Sequence, residues 1–453
     1  MSGSGDNRGD RNGNREADST ALAHAPRNRL AIRRRAGLHF LIRAASKIVR
    51  TLRGRRLPDR FATVALVPGP GSGPAELGSA LNRLAWYLGS AGAGSDVGAE
   101  YRVDCLVPPD LLSVNPVVGS EQRDYLEHLP EVALRTTAEA SGRDYDWLLL
   151  DAVRELGRWK WLRFIDRIRI VDPTFYSGVE HAGWQMVAER TVDRAEGAER
   201  EAAASAFEKL VVEHGGADEV VVLGTGPSVE EVLDLDLSGR PVVICNSLVR
   251  NAELLERLQP AVLCFADEVF HLGPSAYAAA FRDDLCRVVE QYRPWLVTRP
   301  DGAALLRRHY PGLADRLIGI PLTARRWNVP CSEAFRVRPT GNIMTMYMLP
   351  VAARLGQTIL IGGSDGRRPD ETYFWRHGPS VQYDDLMATA FATHPSFFRD
   401  RMYADYYAEH IARLEDLLTE LEARGHDARG ITSSWIPALT RRSAPRPADS
   451  PSD

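Results

Sequence analysis

The sequence predicts an α/β fold: two Rossmann-like domains with parallel sheets, preceded by a basic amphipathic helix. Three observations predict it. Short apolar runs alternate with helical patterns from about residue 60 to 182 and again from 219 to 437. Each half opens with an apolar run that leads straight into a Gly-Pro loop and a helix, PGPGSGP at 68–74 and GTGPS at 224–228. The chain has 453 residues, 44% of them hydrophobic, enough for two cores. Strands alternating with helices imply crossover connections and hence parallel sheets.

Residues 1–28 are Gly, Asn, Asp, Arg and Ser with few large apolar groups, so they are expected to be disordered; the tail 441–453 (RRSAPRPADSPSD) reads the same way. Residues 29–57 form the basic helix. Leu38, Leu41, Ile42, Ala45, Ile48, Val49 and Leu52 recur at helical spacing, with Arg43, Lys47 and Arg50 opposite. Such a helix suits an anionic membrane surface, or the protein's own acidic body. The N-terminal α/β domain, 58–182, has strand patterns at 61–67, 101–107, 147–151 and 168–171 and a helix at 75–88. Its loop at 68–74 contains three prolines, which lack N–H donors, so a structural turn is expected there and not a phosphate cradle. Residues 183–215, rich in Ala and Glu, read as a connecting helix. The C-terminal domain, 216–440, has strand patterns at 219–223, 241–245, 261–266, 296–298, 316–320 and 358–362. Helices are expected from Val229, over 249–258, over 342–355 and over 406–424.

Charge and cysteine usage exclude several classes. Lys and Arg number 56 against 60 Asp and Glu, for a net charge of −4. From Arg27 to Arg56 the chain carries +11 with no acid; residues 1–26 carry −1, which leaves −14 for everything after Arg56. An acidic body with one basic stub is not built to bind nucleic acid. Five scattered cysteines, none in C-x-x-C spacing, imply reduced thiols and a cytoplasmic protein. No run of about 18 apolar residues is present, and no secretory leader is expected.

The chemistry concentrates in the second half. Gly224-Thr225-Gly226-Pro227-Ser228 joins a strand to a helix, the setting of a nucleotide loop. Its glycines permit a tight turn and close approach by a ligand, Pro227 suits a first helical turn, and Ser228 places a hydroxyl at a helix N-terminus. The next strand ends in Cys245-Asn246. A dehydrogenase would normally carry an acid there, which argues against NAD. An amide can donate to and accept from a ribose or a pyrimidine edge; as a plainer role, Asn246 would cap a helix. Asp234-Leu-Asp236 lies in a loop and reads as solvated surface, so no metal site is expected.

The order G-x-G-P-S, a strand ending in C-N, R-x-T-G before a helix and a strand ending in G-x-D resembles the bacterial sialyltransferases of glycosyltransferase family 42. It is similar also to the motility-accessory-factor flagellin glycosyltransferases and the archaeal hydroxymethylpterin diphosphokinases. The resemblance covers about 219–437. It implies a sialyltransferase-like C-terminal domain in which Gly224, Thr225, Gly226, Pro227, Ser228 and Asn246 hold a CMP-sugar. Thr225 stands where those enzymes usually have Asn. Arg338, Thr340 and Gly341 match the segment that wraps the nucleotide, Asp365 matches the G-x-D, and Ser433 and Ser434 lie near the last nucleotide-contacting segment. The family's tyrosines steady the departing phosphate; Tyr373 is the nearest counterpart, grouped with Arg376 and His377. No His stands at the family's general-base position, where counting back from Glu415 reaches Asp405. His377, Asp405 and His410 are therefore the candidate bases, in that order.

The implied activity is metal-independent, inverting transfer of a sialic-acid-like sugar from a CMP-sugar donor to a glycan or glycolipid, with no bound cofactor. The acceptor, the donor and an anionic membrane are the expected partners, at the inner face of the membrane. Diphosphotransfer of the hydroxymethylpterin-kinase type, which needs ATP, Mg²⁺ and acids near Asp365, Asp370 and Glu371, is one alternative. Non-catalytic binding of a nucleotide sugar is another, and a methyltransferase using S-adenosylmethionine a weaker third.

Overall fold

The computed structural model describes residues 29–54, 63–69, 72–89, 102–129, 132–154, 163–177, 184, 196–329, 334–367, 381–400 and 403–443. After helix α1 (Arg29–Leu52), the first sheet contains β1 (Thr63–Val67), β2 (Arg102–Val107), β3 (Val132–Thr136), β4 (Trp147–Leu150) and β5 (Ile168–Ile170), with α2 (Pro74–Leu88) between β1 and β2. Helix α3 (Glu196–His214) leads to the second sheet: β6 (Ala217–Leu223), β7 (Val242–Cys245), α4 (Ala252–Leu258), β8 (Val262–Cys264), α5 (Ala276–Tyr292), β9 (Trp295–Thr298), α6 (Pro300–His309), β10 (Leu317–Gly319), α7 (Leu349–Leu355) and β11 (Gly356–Gly362). Then come α8 (Met387–Thr393), α9 (Pro395–Asp400), α10 (Tyr403–Ala423), β12 (Asp427–Gly430) and α11 (Pro437–Thr440).

Both sheets are wholly parallel, in the orders β3-β2-β1-β4-β5 and β10-β9-β8-β7-β6-β11-β12. The two Rossmann-like domains are therefore as expected. Two strands were not legible in the sequence. β3 and β12 are edge strands, and β12 buries little beyond Ala428, so neither carries a continuous apolar run. The helix expected from Val229 is instead a run of 3-10 turns over Pro227–Asp234. The helix expected over 342–355 opens with a π turn, Met344–Met348, in which the Leu349 N–H bonds back to Met344 O. Pro350 lacks the N–H that a regular α turn would use here. Residues 441–443 belong to the fold and not to a tail. Gly430 N–H donates to Arg442 O at 3.0 Å, and Arg442 pairs with Glu422 and Glu415 on α10.

Strand side chains alternate between the two faces of the larger sheet. Val220, Val222, Ile359 and Ile361 pack under α7 and α10, whereas Val221, Leu223, Ile244, Leu263 and Leu360 face the other way. That second core is continuous with Leu77, Leu81, Leu84 and Trp86 of α2. Helix α2 is buried nearly all round, as a helix between two layers must be. The seam is closed by Arg282, which is fully buried over the Trp86 ring at 4.1 Å. It donates to His271 O and Gly273 O at 2.8 Å, Tyr125 Oη at 2.7 Å and Tyr310 Oη at 3.1 Å. The loop after β5 is also held by the C-terminal half: Ser396 N–H donates to Pro173 O, and Arg399 donates to Thr174 O and Phe175 O. In the 68–74 loop, Ser72 bonds Gly69 O and Gly73 N–H bonds Glu76, which makes a structural turn.

Helix α1 divides the residues of its expected apolar face. Ile42 is buried against Ile170 and Phe175, and Val49 is half-buried. Leu38, Leu41, Ile48 and Leu52 point outward. Arg53 pairs with Asp166 at 2.7 Å and Arg35 with Asp400 at 3.7 Å. No described helix is long and apolar enough to cross a membrane. Cys105, Cys245 and Cys264 are buried free thiols and Cys286 is a half-buried one, while Cys331 lies outside the described residues.

His309 lies in the same seam. Its Nε2 donates to Trp86 O at 2.7 Å, so in the neutral ring Nδ1 accepts from His128 Nδ1 at 2.8 Å. Burial holds its pKa down to about 2, and burial likewise holds His271 and His410 near 4. The unfolded chain protonates these rings near 6.5, so between pH 7 and 5 it binds more protons than the folded one. Stability therefore falls on acidification, by up to about 1.4 kcal/mol per pH unit for each ring. Urea denaturation at pH 7, 6 and 5 is expected to show this loss, and His309→Gln, which keeps a donor for Trp86 O, should flatten the slope.

Candidate functional site

The larger sheet reverses its winding between β6 and β11, and in such sheets ligands bind beyond the carboxyl ends of the strands at that point. Three loops meet there. Gly224 N–H donates to Gly362 O at 2.9 Å, and Gly226 N–H to Gly363 O at 2.8 Å. Asp365 accepts from Ser228 N–H at 3.0 Å and from Ser228 Oγ at 2.8 Å. Thr432 Oγ1 pairs with Ser228 Oγ at 2.9 Å and accepts from Gly363 N–H at 3.0 Å. Ser434 Oγ donates to Ser364 O at 2.7 Å, and Trp435 N–H to Asp365 O at 2.6 Å. A Cβ at Gly226 would lie 2.0 Å from Asp365 Oδ2, so only glycine lets the carboxylate reach the turn.

This corrects the role expected for Ser228. Its N–H and hydroxyl, expected to be open to a ligand, face the internal carboxylate of Asp365. Burial raises the Asp365 pKa, its bonds from Ser228 oppose that, and Glu231 adds to the rise. Thr225 and Ser228 are buried, and Pro227 opens the 3-10 segment. Ser433 N–H is bound to Glu231 at 3.0 Å, so Ser433 and Ser434 both bind the protein's own loops. Asp236 accepts from Ser238 N–H and Oγ, which makes it a turn residue.

Asn246 stands beside this junction. β6 and β7 run in register with Leu223 against Ile244, so Asn246 follows the end of β7 as the Gly224 loop follows the end of the neighbouring β6. Asn246 is left-handed, with φ 50°, an uncommon conformation for a side-chain-bearing residue. Its Oδ1 is buried and has no hydrogen-bond partner among the described residues. It does not cap the next helix; Asn251 does, through Leu254 N–H at 3.0 Å. A left-handed backbone and a buried acceptor at a strand end make Asn246 a candidate for ligand contact.

Arg338, Thr340 and Gly341 lead into the π turn, whose Met344 methyl lies 3.5 Å from where a Gly224 Cβ would stand. Arg338 sits over the Trp327 ring at 4.6 Å, and Thr340 bonds Thr345 Oγ1 at 2.9 Å. The start of α10 closes this side. Tyr406 Oη donates to Gly341 O, and Tyr407 Oη accepts from Arg367 N–H at 2.9 Å beneath the Arg367 guanidinium. Trp435 is 55% exposed although its backbone is pinned to Asp365. Sequence reasoning passed over Tyr406, Tyr407, Arg367 and Trp435. The run Tyr-Ala-Asp-Tyr-Tyr offered a signal, since adjacent aromatics at a helix start cannot all face the core.

Tyr373, Arg376 and His377 lie outside the described residues. Asp405 is not in a desolvating pocket: its side chain is 63% exposed and lies 3.5 Å from Arg29 of α1. His410 is not a partly exposed helix residue but is buried, one turn below Tyr406 and Tyr407. Burial holds its pKa at about 4, which disfavours taking up a proton. Among the described residues, no three His, Cys, Asp or Glu side chains are placed to share a metal ion.

Searches of protein-family models, curated proteins and solved structures return no match to this chain.

Asp365→Ala removes the acceptor from Ser228 and is expected to lower the unfolding free energy by roughly 1–3 kcal/mol. Asp365→Asn keeps an acceptor oxygen and should cost less. Urea denaturation of the two variants reads the difference.

Proposed function

We propose that the carboxyl edge around Asn246 and the Gly224 loop binds a cytidine-type nucleotide, and that the chain is a metal-independent, inverting glycosyltransferase. It moves a sialic-acid-like sugar from a CMP-sugar to a hydroxyl of a glycan or glycolipid. The observation that carries the reading is Asn246, which follows the end of β7, the strand beside the glycine loop, and whose buried acceptor lacks a donor among the described residues. A cytosine amino group supplies such a donor, and the Asn amide N–H₂ supplies the complement. Asp365 disfavours a phosphate against Ser228 by like-charge repulsion, so the loop is assigned to the neutral ribose and base. The phosphate is assigned to the side lined by Arg367, Tyr406 and Tyr407, where cation and phenol suit a leaving monophosphate. Trp435, 55% exposed, stands beside these loops.

In the reaction, the acceptor hydroxyl attacks the anomeric carbon from the side opposite the phosphate. Its proton passes to a base as the carbon–oxygen bond to CMP breaks. Of the three candidates, exposed Asp405 and buried His410 are poorly suited, which leaves His377 in that role. The same two placements favour a second reading, a nucleotide-sugar-binding protein without catalysis. Diphosphotransfer is less favoured, because Asp365 is committed to Ser228.

Calorimetry with CMP, ATP and S-adenosylmethionine tests the proposal. CMP is expected to bind and the others not. Asn246→Gly keeps the left-handed backbone and removes the amide, so affinity should fall about tenfold with the melting temperature unchanged. Trp435→Ala should cost roughly 1–3 kcal/mol of binding if a base stacks on it. Tight ATP binding with no CMP binding would overturn the reading. His377→Ala should retain CMP binding and abolish transfer; loss of neither favours the non-catalytic reading.

A further inference from the structure

Among the described residues, ten large apolar side chains are exposed, and six of them stand on one helix: Leu30, Leu38, Phe40, Leu41, Ile48 and Leu52 of α1. The concentration matters more than the number, since scattered exposed apolar groups are ordinary and a contiguous set marks a contact surface. At 3.6 residues per turn, Leu30, Leu38, Leu41, Ile48 and Leu52 fall within one stripe about 80° wide. Ile42, Ser46 and Val49 lie on the neighbouring stripe, which faces the body. The helix is therefore already docked, and its exposed ridge is not the face that holds it there.

The helix carries seven cations and no acid. Arg29 and Arg35 are paired with Asp405 and Asp400. Arg34 lies in the apolar ridge, and Arg33 and Lys47 follow it round the helix, all three exposed. The chain after Arg56 carries −14. An anionic bilayer would attract α1 and repel the rest, which fixes one orientation without further contacts. A convex ridge of leucines bordered by cations fits the boundary between headgroups and acyl chains, whereas a peptide partner would need a groove.

We propose that α1 is an interfacial helix that seats the protein on an anionic lipid surface, apolar ridge inward, with the acidic body held off the membrane. Arg29 at its N-terminal end lies against Asp405, one residue from Tyr406 at the rim of the candidate site. The helix thus brings that rim close to the bilayer. If the chain is the transferase proposed above, its acceptor is a lipid-borne hydroxyl. The membrane contact itself does not depend on that reading.

The test is co-sedimentation of the full chain with vesicles of phosphatidylcholine alone and with added phosphatidylglycerol. Binding is expected only with phosphatidylglycerol and should weaken as salt is raised. Leu41→Glu combined with Ile48→Glu should weaken it about tenfold or more while leaving the melting temperature unchanged, because Ile42 still docks the helix. Arg33→Glu with Lys47→Glu should remove the preference for anionic lipid. No binding to either vesicle, or binding that the leucine and isoleucine changes leave intact, overturns the proposal. So does a dimer in sedimentation velocity that the same changes abolish, in the absence of vesicle binding; the ridge would then belong to a second copy. CMP affinity measured without lipid reads the nucleotide site alone, so the two proposals fail separately.

Discussion

The bond between Asp365 and the Ser228 turn is the constraint on which the candidate site depends. The carboxylate closes the gap between two strands whose loops leave in opposite directions, and Thr432 and Ser434 draw the loop after β12 onto the same point. Two backbone bonds, Gly224 N–H to Gly362 O and Gly226 N–H to Gly363 O, begin the contact between these loops, and side chains complete it. Here they do so by using donors that a phosphate would otherwise take. Under the proposed reading, the lacing leaves neutral groups for the glycine turn and assigns the negative charge of the nucleotide to the side of Arg367 and the tyrosines.

A second constraint is the shared core. Helix α2 belongs by sequence to the first sheet, yet its buried face extends the core of the second. Among the described residues no acid pairs with buried Arg282, whose charge is spread over two carbonyls, two phenols and the Trp86 ring. Such a group is stable only where every donor is met, which ties the two domains into one arrangement. With α9 bound against the loop after β5, the C-terminal half also covers that corner of the smaller sheet.

The outer surface follows a different rule. Helix α1 is held by one buried isoleucine and a few ion pairs, and its apolar ridge remains uncovered. Docking on the body, one of the two fates considered for this segment, is realised through Ile42, while the remaining apolar residues lie on a second face that points outward.

The alternation of apolar runs and helical patterns was enough to establish two parallel α/β domains, because strands buried on both faces must be apolar throughout. The glycine loop and the Asn at the next strand end were legible for the same reason: backbone geometry at a strand end restricts residue type. The edge strands β3 and β12 were not legible, since half-exposed strands need no apolar run. Nor were the partners of Ser228 legible, since Asp365 is 137 residues away in the chain. The exposure of Asp405, the burial of His410 and the turn of Tyr406 and Tyr407 toward the loops depend on where α10 packs. Local pattern determines which elements form. Which side chains meet, and whether each meets water, is set by long-range packing that no local segment encodes.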